Sequence, residues 1–358
     1  MSHYKLPLLK YFKAKRGEKS TALIILKNDR GMQVAFTNFG ARIVSLIIPD
    51  KFGNPTDVVL GFNSISEYFE ADEIYHGATI GRFANRIKGG AFQLNGKTYH
   101  IEPNNGPNAL HGGRNGFHNQ IWDRRLHNPN GITFYYSSPD DEEGFPGTLN
   151  TSVDYLITDD NELKISYRAR SDQDTFINLT NHAYFNLNGE GSGEVLDHTM
   201  QINANEYVPI NEHQIPLGKL LPLAATSFDF RQPKVLAAHI HDQDQQLLYA
   251  GGGYDHTYVL HKQTGTQEPT LAAVAYAAHS GIKLEVLTTE PGVQFYTGNA
   301  LSGKDKGKSG KVYGKQHAFC LETQHFPDTP NQTTFPSALL KAGEIYNSQT
   351  IYRFNVIK

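Results

Sequence analysis

A histidine near the middle of the chain stands in a segment whose polar and apolar residues alternate. Read as an extended strand with a side-chain period of two, residues 178–189 place amides, a hydroxyl, a phenol and an imidazole on one face: Asn178, Thr180, His182, Tyr184 and Asn186. Such groups both donate and accept hydrogen bonds, which suits a neutral polyhydroxylated ligand. The imidazole pKa lies nearest neutrality, so His182 is the candidate for proton transfer.

A carboxylate in a second apolar segment is the most informative partner for this histidine. In residues 318–324, alternation places Glu322 and Cys320 on one face, while apolar side chains anchor the other face. A carboxylate in such a strand needs a partner or a purpose, so Glu322 is either a general base or a paired core residue. Cys320 is expected to be a small buried hydrophobe rather than a nucleophile.

Two further segments carry groups that could bind a sugar. In residues 81–87, Asn85 and Arg86 offer several hydrogen-bond donors to hydroxyl groups, although an arginine there could equally tie loop carbonyls together. In residues 108–113, His111 precedes two glycines, which would let the backbone turn sharply and leave space beside the imidazole. The alternative is a turn that this histidine merely caps.

Two strand segments near the C-terminal end complete the set of candidate residues. Asp255 precedes a strand and could accept hydrogen bonds from two ligand hydroxyls, or could cap a turn. Gln294 and Tyr296 share a strand face, and an amide beside an aromatic ring suits a pyranose, although a partly exposed edge strand has the same pattern. Residues 239–242 contain two histidines and an aspartate without further ligands at a recognisable spacing, so no metal site is predicted.

Strands must position these side chains, because strand-like runs extend from one end of the chain to the other. Short β-branched and aromatic segments separated by Gly, Asn, Asp and Pro predict strands at residues 21–26, 32–37, 42–48, 91–94, 97–101, 132–137, 152–157, 163–170, 256–260, 271–276, 282–288 and 351–356. The Asn95-Gly96 pair predicts a type I′ hairpin. Helical periodicity is limited to residues 64–70 and 235–250. The pattern predicts an all-β fold, one large antiparallel β-sandwich domain spanning residues 1–358.

A basic segment, residues 303–314, contains Gly-Lys-Ser and invites comparison with a phosphate-binding loop. The comparison fails because Ser302 stands where that motif requires its first glycine, and no apolar-periodic helix follows. A mobile basic loop tip is predicted instead.

Composition and charge argue against nucleic acid and membranes as partners. The chain has 358 residues and a formal net charge of −3, which gives no basic field for nucleic acid or anionic membrane. We see no secretory h-region and no apolar run near the ~20 residues that a membrane span needs. The single cysteine is compatible with a reducing compartment. We therefore expect a cytoplasmic protein, a monomer or homodimer, that acts on a small molecule.

Several segments, taken together and in order, resemble the aldose 1-epimerase (galactose mutarotase) family: residues 38–41, 81–87, 108–113, 181–188, 253–256, 294–299 and 321–324. The resemblance implies a β-sandwich of the galactose mutarotase type that interconverts the α and β anomers of galactose, glucose and similar aldoses without a cofactor. It implies His182 as the general acid, Glu322 as the general base and His111 as a second catalytic or binding histidine. The sugar would be held by Asn85, Arg86, Tyr184, Asp255 and Gln294.

Three alternative functions stay open at this point. The basic residues 304–311 could hold the phosphate of a hexose-6-phosphate 1-epimerase substrate. A glycoside hydrolase could use Glu322 and Asp255 as its carboxylate pair. A non-catalytic sugar-binding module is the third, and the presence of both His182 and Glu322 argues against it.

Overall fold

Strands make up most of the computed structural model, which describes residues 6–127, 129–262 and 268–358. The first fourteen are β1 (Lys15–Arg16), β2 (Lys19–Ser20), β3 (Leu23–Lys27), β4 (Gln33–Thr37), β5 (Arg42–Pro49), β6 (Pro55–Asp57), β7 (Thr79–Ile80), β8 (Arg86–Ile87), β9 (Ala91–Leu94), β10 (Lys97–His100), β11 (Ala109–Leu110), β12 (Asp123–His127), β13 (Gly131–Ser138) and β14 (Leu149–Ile157). The remainder are β15 (Glu162–Ser171), β16 (Thr175–Phe176), β17 (Thr180–Asn181), β18 (Thr199–Ile202), β19 (Ala204–Tyr207), β20 (Leu221–Pro222), β21 (Lys234–Val235), β22 (Asp255–Leu260), β23 (Thr270–Tyr276), β24 (Ile282–Thr288), β25 (Gly292–Tyr296), β26 (Cys320–Gln324), β27 (Leu339–Leu340) and β28 (Ile345–Val356).

Helices are few and short in this part of the chain. The α-helices are α1 (Ile65–Glu70) and α2 (Gln245–Tyr249), and single 3-10 turns occupy Leu9–Phe12, Lys88–Gly90, Phe117–Asn119, Glu142–Gly144, Leu236–Ala238 and Thr329–Asn331. Ser64 caps α1, because its hydroxyl accepts the Glu67 backbone N–H. No helix within the described ranges has the length and apolar character needed to cross a membrane.

Three large sheets organise the strands, and their pairings are antiparallel. The largest has nine strands in the order β12-β13-β14-β15-β28-β24-β23-β18-β21. A second contains β20-β19-β22-β25-β26, and a third contains β3-β4-β5-β6. Two-stranded ribbons pair β7 with β17 and β8 with β11, and these short elements reappear at the functional site.

One hydrophobic core joins the three sheets. Along β14 the odd positions from Leu149 to Ile157 are buried and the intervening residues are more exposed, as expected for a strand with one face on a core. Core side chains from the four-stranded sheet (Phe36), the nine-stranded sheet (Phe134) and the five-stranded sheet (Phe295) belong to the same buried cluster. The sheets therefore pack face to face, and the predicted all-β sandwich is confirmed.

The predicted strands are present, most with small shifts at their ends, whereas β28 begins at Ile345 rather than at residue 351. The hairpin formed by β9 and β10 turns at Asn95 and Gly96, and both have positive φ values, 51° and 76°, as a type I′ turn requires. The helix predicted over residues 64–70 is α1. The helix predicted over residues 235–250 is wrong in extent, because only the turn Leu236–Ala238 and the five residues of α2 are helical.

The mobile loop predicted for residues 303–314 is also wrong. Lys308 folds back into the protein, where its side chain is 5% exposed and its Nζ lies 2.7 Å from Oδ2 of Asp57. The same ammonium donates to the carbonyls of Val44 and Val59. A run of lysines predicts a solvent-exposed loop. Lys308 is buried nevertheless, because the buried Asp57 carboxylate needs a positively charged partner.

Candidate active site

The floor of the candidate site consists of β22, β25 and β26, whose register aligns polar side chains in two rows. Gln294 pairs with Glu322 across β25 and β26, and Tyr296 pairs with Cys320. Asp255 on β22 lies opposite Tyr296. The alternate residues of these strands enter the main core, among them Tyr258, Val293, Phe295 and Leu321. Because strand side chains alternate between faces, burying the apolar set forces the polar set onto one surface.

His182 reaches this surface from a neighbouring segment. Its backbone N–H donates to the carbonyl of Ala78 at 2.9 Å, and its carbonyl accepts the N–H of Gly77 at 3.0 Å. The segment continues β17 along β7 and brings the imidazole over β26. Nε2 of His182 lies 3.5 Å from Oε1 of Glu322, and Nδ1 lies 3.6 Å from Sγ of Cys320. The two side chains that sequence analysis paired are therefore adjacent.

The rest of the predicted polar face does not reach the site. Of its members, His182 and Tyr184 line the cavity, whereas the Asn178 amide donates to the carbonyls of Ala84 and His325. The Asn186 amide donates to two other loop carbonyls. The alternation was interpreted as one ligand-facing surface, but the segment lies between other segments of the same chain, whose buried carbonyls need hydrogen-bond donors.

A cavity of about 470 Å³ opens above these strands. Most of the predicted site residues line it, namely Asn85, Arg86, His111, His182, Tyr184, Asp255 and Glu322. Gln294 does not line the cavity and is 3% exposed beneath it. The volume is within the range of small-molecule sites, and its lining combines aromatic rings with convergent polar groups.

A network of hydrogen bonds fixes the carboxylate of Asp255. Nε2 of Gln294 donates to Oδ1 at 2.7 Å, while the Thr257 hydroxyl donates to the Gln294 carbonyl oxygen. Nη1 of Arg86 lies 3.7 Å from Oδ2, and Nε of the same arginine donates to Asn105 at 3.0 Å. Gln294 therefore holds the Asp255 carboxylate in place from beneath the cavity and does not itself line it.

His111 and Asn85 hold each other in place. Both residues have positive φ values, 52° and 67°, and the Asn85 backbone N–H donates to Nδ1 of His111 at 3.1 Å. A neutral imidazole that accepts at Nδ1 carries its hydrogen on Nε2. The following Gly112 has a φ of 80°, and a Cβ there would lie 2.0 Å from the Gly81 carbonyl oxygen. The glycine therefore permits a close backbone approach rather than open space beside the ring.

The two arginines of residues 81–87 have different roles. Arg82 donates to the carbonyls of Ser138 and Pro146, each at 3.0 Å, and so ties a loop together. Arg86 lines the cavity. Sequence analysis left both roles open for this segment, and the structure divides them between the two side chains.

Burial controls the protonation of the central groups. It lowers the pKa of His182 to about 3, and it lowers that of His111 well below the ordinary value. Burial raises the pKa of Glu322 well above its usual range, and the negative charge of Asp255 raises it further. A proton shared by this pair is therefore favoured on the carboxyl group when no ligand is present.

The same three central residues are the one group in the described ranges with the arrangement of a metal site. Ligand atoms of His111, His182 and Glu322 lie within 4.8 Å of one another. A metal needs a lone pair from each ligand, and Nδ1 of His111 already accepts the Asn85 N–H, which leaves a hydrogen on Nε2. The set is therefore better suited to hydrogen bonding than to a metal.

Sequence analysis missed one wall of the cavity. The wall includes Glu73 and Tyr75, in the turn after α1. No periodic or motif signal marks this turn, so only the fold brings it to the site. Asn104 and Asn105 also line the cavity. Their amides stand just before His111 in sequence, which was a usable signal.

Comparison with known proteins identifies the family to which this chain is similar. Residues 22–353 match the model of the aldose 1-epimerase family. A galactose mutarotase of Sus scrofa is 45% identical over 331 residues, which cover 92% of this chain and 93% of the relative. An aldose 1-epimerase of Escherichia coli K12 is 39% identical, covering 93% and 94% of the two chains. A crystal structure of an aldose epimerase homologue from C. elegans has a TM-score of 0.86 at 32% identity and covers 94% of this chain and all of its own.

Proposed function

Because the chain belongs to the aldose 1-epimerase family, we propose that it interconverts the α and β anomers of D-galactose, D-glucose and related aldoses. The observation that carries the proposal is the contact between His182 and Glu322, 3.5 Å apart in a cavity lined by hydrogen-bonding groups. Anomer exchange needs an acid and a base at neighbouring atoms of one ring, and this pair provides both.

The reaction proceeds by ring opening. The Glu322 carboxylate removes the proton of the C1 hydroxyl while the protonated His182 imidazole donates to the ring oxygen. The C1–O5 bond breaks, its electron pair stays on O5, and C1 becomes the carbonyl carbon of a free aldehyde. Rotation about C1–C2 presents the other carbonyl face. On closure O5 attacks C1, returns its proton to His182, and Glu322 protonates the new C1 oxygen.

The pair holds one proton at each stage of the cycle. In the closed-ring complex that proton is on His182, which gives it to O5, and in the open-chain complex Glu322 holds the proton taken from the C1 hydroxyl. Burial lowers the pKa of His182 and raises that of Glu322, so the protein favours the arrangement that accompanies the aldehyde. Glu322 must nevertheless be ionised for the first step, and Arg86, whose charge lowers the pKa of Glu322, supports that state.

His111 acts as a second donor rather than as the principal acid. Its Nε2–H is available to an oxygen of the sugar because Nδ1 is bonded to Asn85. Burial keeps the ring neutral by lowering its pKa, so it donates a hydrogen bond without losing its proton. Asn85, Arg86, Tyr184 and Asp255 contact the sugar hydroxyls, and Gln294 orients Asp255 from below.

The charge of the cavity favours neutral sugars over hexose 6-phosphates. Glu73, Asp255 and Glu322 line it, whereas Arg86 is its only lining lysine or arginine within the described residues. None of the lysines of residues 304–311 lines the cavity, and two of them have acidic partners, since Lys308 is buried against Asp57 and Lys304 pairs with Asp72. The acidic side chains of the cavity would therefore repel a phosphate group rather than bind it.

The setting of the enzyme follows from the same features. We expect residues 1–358 to act as one domain, because the main core contains residues from Ile24 to Phe354. We expect a monomer or homodimer in the cytoplasm that acts without nucleic acid or membrane, in keeping with a net charge of −3. No metal or other cofactor enters the proposed chemistry.

Polarimetry tests the proposal. Freshly dissolved α-D-galactose or α-D-glucose should lose its initial rotation faster in proportion to added protein. No acceleration over buffer at any protein concentration would overturn the proposed function. Release of reducing sugar from aryl glycosides without mutarotation would favour a glycoside hydrolase, and sugar binding without either activity would favour a binding module.

A further inference from the structure

A third acidic residue lies in the wall of the cavity, on the turn that sequence analysis missed. Glu73 is partly exposed and lines the cavity together with Tyr75, Tyr184 and Tyr296. It has no part in the acid–base steps described above. Its carboxylate is nevertheless near enough to add to the negative field that raises the pKa of Glu322.

The protein holds this carboxylate in a fixed position. Asp305 accepts the backbone N–H groups of Asp72 and Glu73, each at 2.9 Å, which anchors the turn. The Tyr75 N–H donates to Oε1 of Glu73 at 2.9 Å. Burial raises the pKa of Glu73, and hydrogen bonds from this N–H and from the Tyr184 hydroxyl act in the opposite direction. A carboxylate anchored in this way is preorganised for a ligand.

The position of Glu73 relative to the catalytic pair suggests which part of the sugar it meets. The rings of Tyr75 and Tyr184 both stack on His182, with centroids at 5.8 and 4.8 Å and interplanar angles of 19° and 26°. Glu73 accepts the backbone N–H of Tyr75 and lines the same cavity as Tyr184, which places it on the His182 side of the site. Gln294 and the carboxylate that it orients, Asp255, lie instead on the strands paired with Glu322.

The proposed roles of Glu322 and His182 imply a direction for the pyranose ring. With Glu322 at the C1 hydroxyl and His182 at the ring oxygen, the C2 hydroxyl lies on the Asp255 side. The other neighbour of the ring oxygen is C5, which carries C6. C6 therefore extends past His182 towards Tyr184 and Glu73.

We propose that Glu73 is a specificity-determining residue that accepts a hydrogen bond from the C6 hydroxyl of the sugar. This inference rests on the proposed function. The substrate class is then an aldohexose with a free hydroxyl at C6. A phosphate or carboxylate at C6 would lie against the Glu73 carboxylate. The two negative charges would repel each other unless Glu73 took up a proton.

The experiment compares D-galactose with D-fucose, its 6-deoxy analogue, using wild type, Glu73→Ala and Glu73→Gln. A hydrogen bond to a charged group corresponds to roughly a tenfold or larger effect, so Glu73→Ala should lower kcat/KM for D-galactose by about that factor. The loss should appear mainly in KM, and D-fucose should be turned over as by wild type. Glu73→Gln should recover much of the D-galactose rate and should raise turnover of D-galactose 6-phosphate.

Each outcome decides between the proposals. An equal loss on both sugars, or a D-galactose rate unchanged by Glu73→Ala, would overturn the role of Glu73 and leave mutarotation intact. Failure of the wild-type protein to act on D-galactose would instead overturn the proposed function itself. Glu70→Gln is the charge-matched control. Glu70 is exposed on α1, so this substitution should change kcat/KM for neither D-galactose nor D-fucose.

Discussion

His182 and Glu322 contact each other across two chain segments that no local sequence pattern connects. Nε2 of the histidine lies 3.5 Å from Oε1 of the glutamate, and both side chains are almost fully buried, at 4% and 3% exposure. Their proximity depends on the antiparallel pairing of β17 with β7 and on the alternation of side chains between the two faces of β26. Burial shifts the pKa values of the two groups in opposite directions, which keeps one proton within the pair.

Replacing His182 should remove most of the activity. His182→Asn should lower kcat by about 10²–10⁴-fold, the usual contribution of a positioned proton donor. His111→Asn should cost less and should act more on KM, because His111 donates a hydrogen bond and keeps its proton. Polarimetry over a range of α-D-galactose concentrations, which gives kcat and KM separately, checks both, with His100→Asn on exposed β10 as the control. If His182→Asn kept most of its activity, His111 would have to be the principal acid.

The pH profile of kcat/KM should be bell-shaped, because the pair works only with one proton. As pH falls, the pair gains a second proton and Glu322 can no longer act as a base. As pH rises, the pair loses its proton and His182 can no longer act as an acid. Asp255 raises the pKa of Glu322, so its negative charge helps the pair to retain the proton. Asp255→Asn should therefore move the alkaline limb to lower pH, in addition to weakening sugar binding. An alkaline limb that did not move would contradict this electrostatic coupling.

The buried ion pair beneath the 303–314 loop should be important for stability. Lys308→Met would leave Asp57 buried without its cation, and removing one partner of such a pair costs about 3–5 kcal/mol of unfolding free energy. Urea unfolding checks this. Lys304→Met is the matched control, because its pair with Asp72 is exposed and should contribute little. Equal stability of the two variants would show that the Lys308 contact is not maintained in solution.

The fold could be predicted from sequence where burial has a simple period. The positions of β14 and β24 follow from alternation, those of β3 and β5 follow from their runs of aliphatic residues, and the type I′ turn follows from Asn95-Gly96. The 235–250 helix failed because its apolar residues pack as a short turn and a five-residue helix. The burial of Lys308 could not be predicted because its partner Asp57 is remote in sequence.

The site could be predicted in part, for a related reason. Glu322 and Asp255 stand out because acidic groups are unusual in strands that face a core. The separation of Arg82 from Arg86, and the placement of Gln294 below Asp255, depend on which loops fold over these strands. Glu73 had no local signal at all, because a turn reaches the cavity only through the contacts of its backbone with Asp305.

The central claim, that Glu322 removes the C1 hydroxyl proton while His182 protonates the ring oxygen, is tested most directly by the mutarotation rate of Glu322→Gln. The amide keeps the shape of the side chain but cannot accept the C1 hydroxyl proton. The variant should fold and bind D-galactose, and it should turn over α-D-galactose about 10²–10⁴-fold more slowly than wild type. A Glu322→Gln protein that equilibrated the anomers at the wild-type rate would contradict the claim.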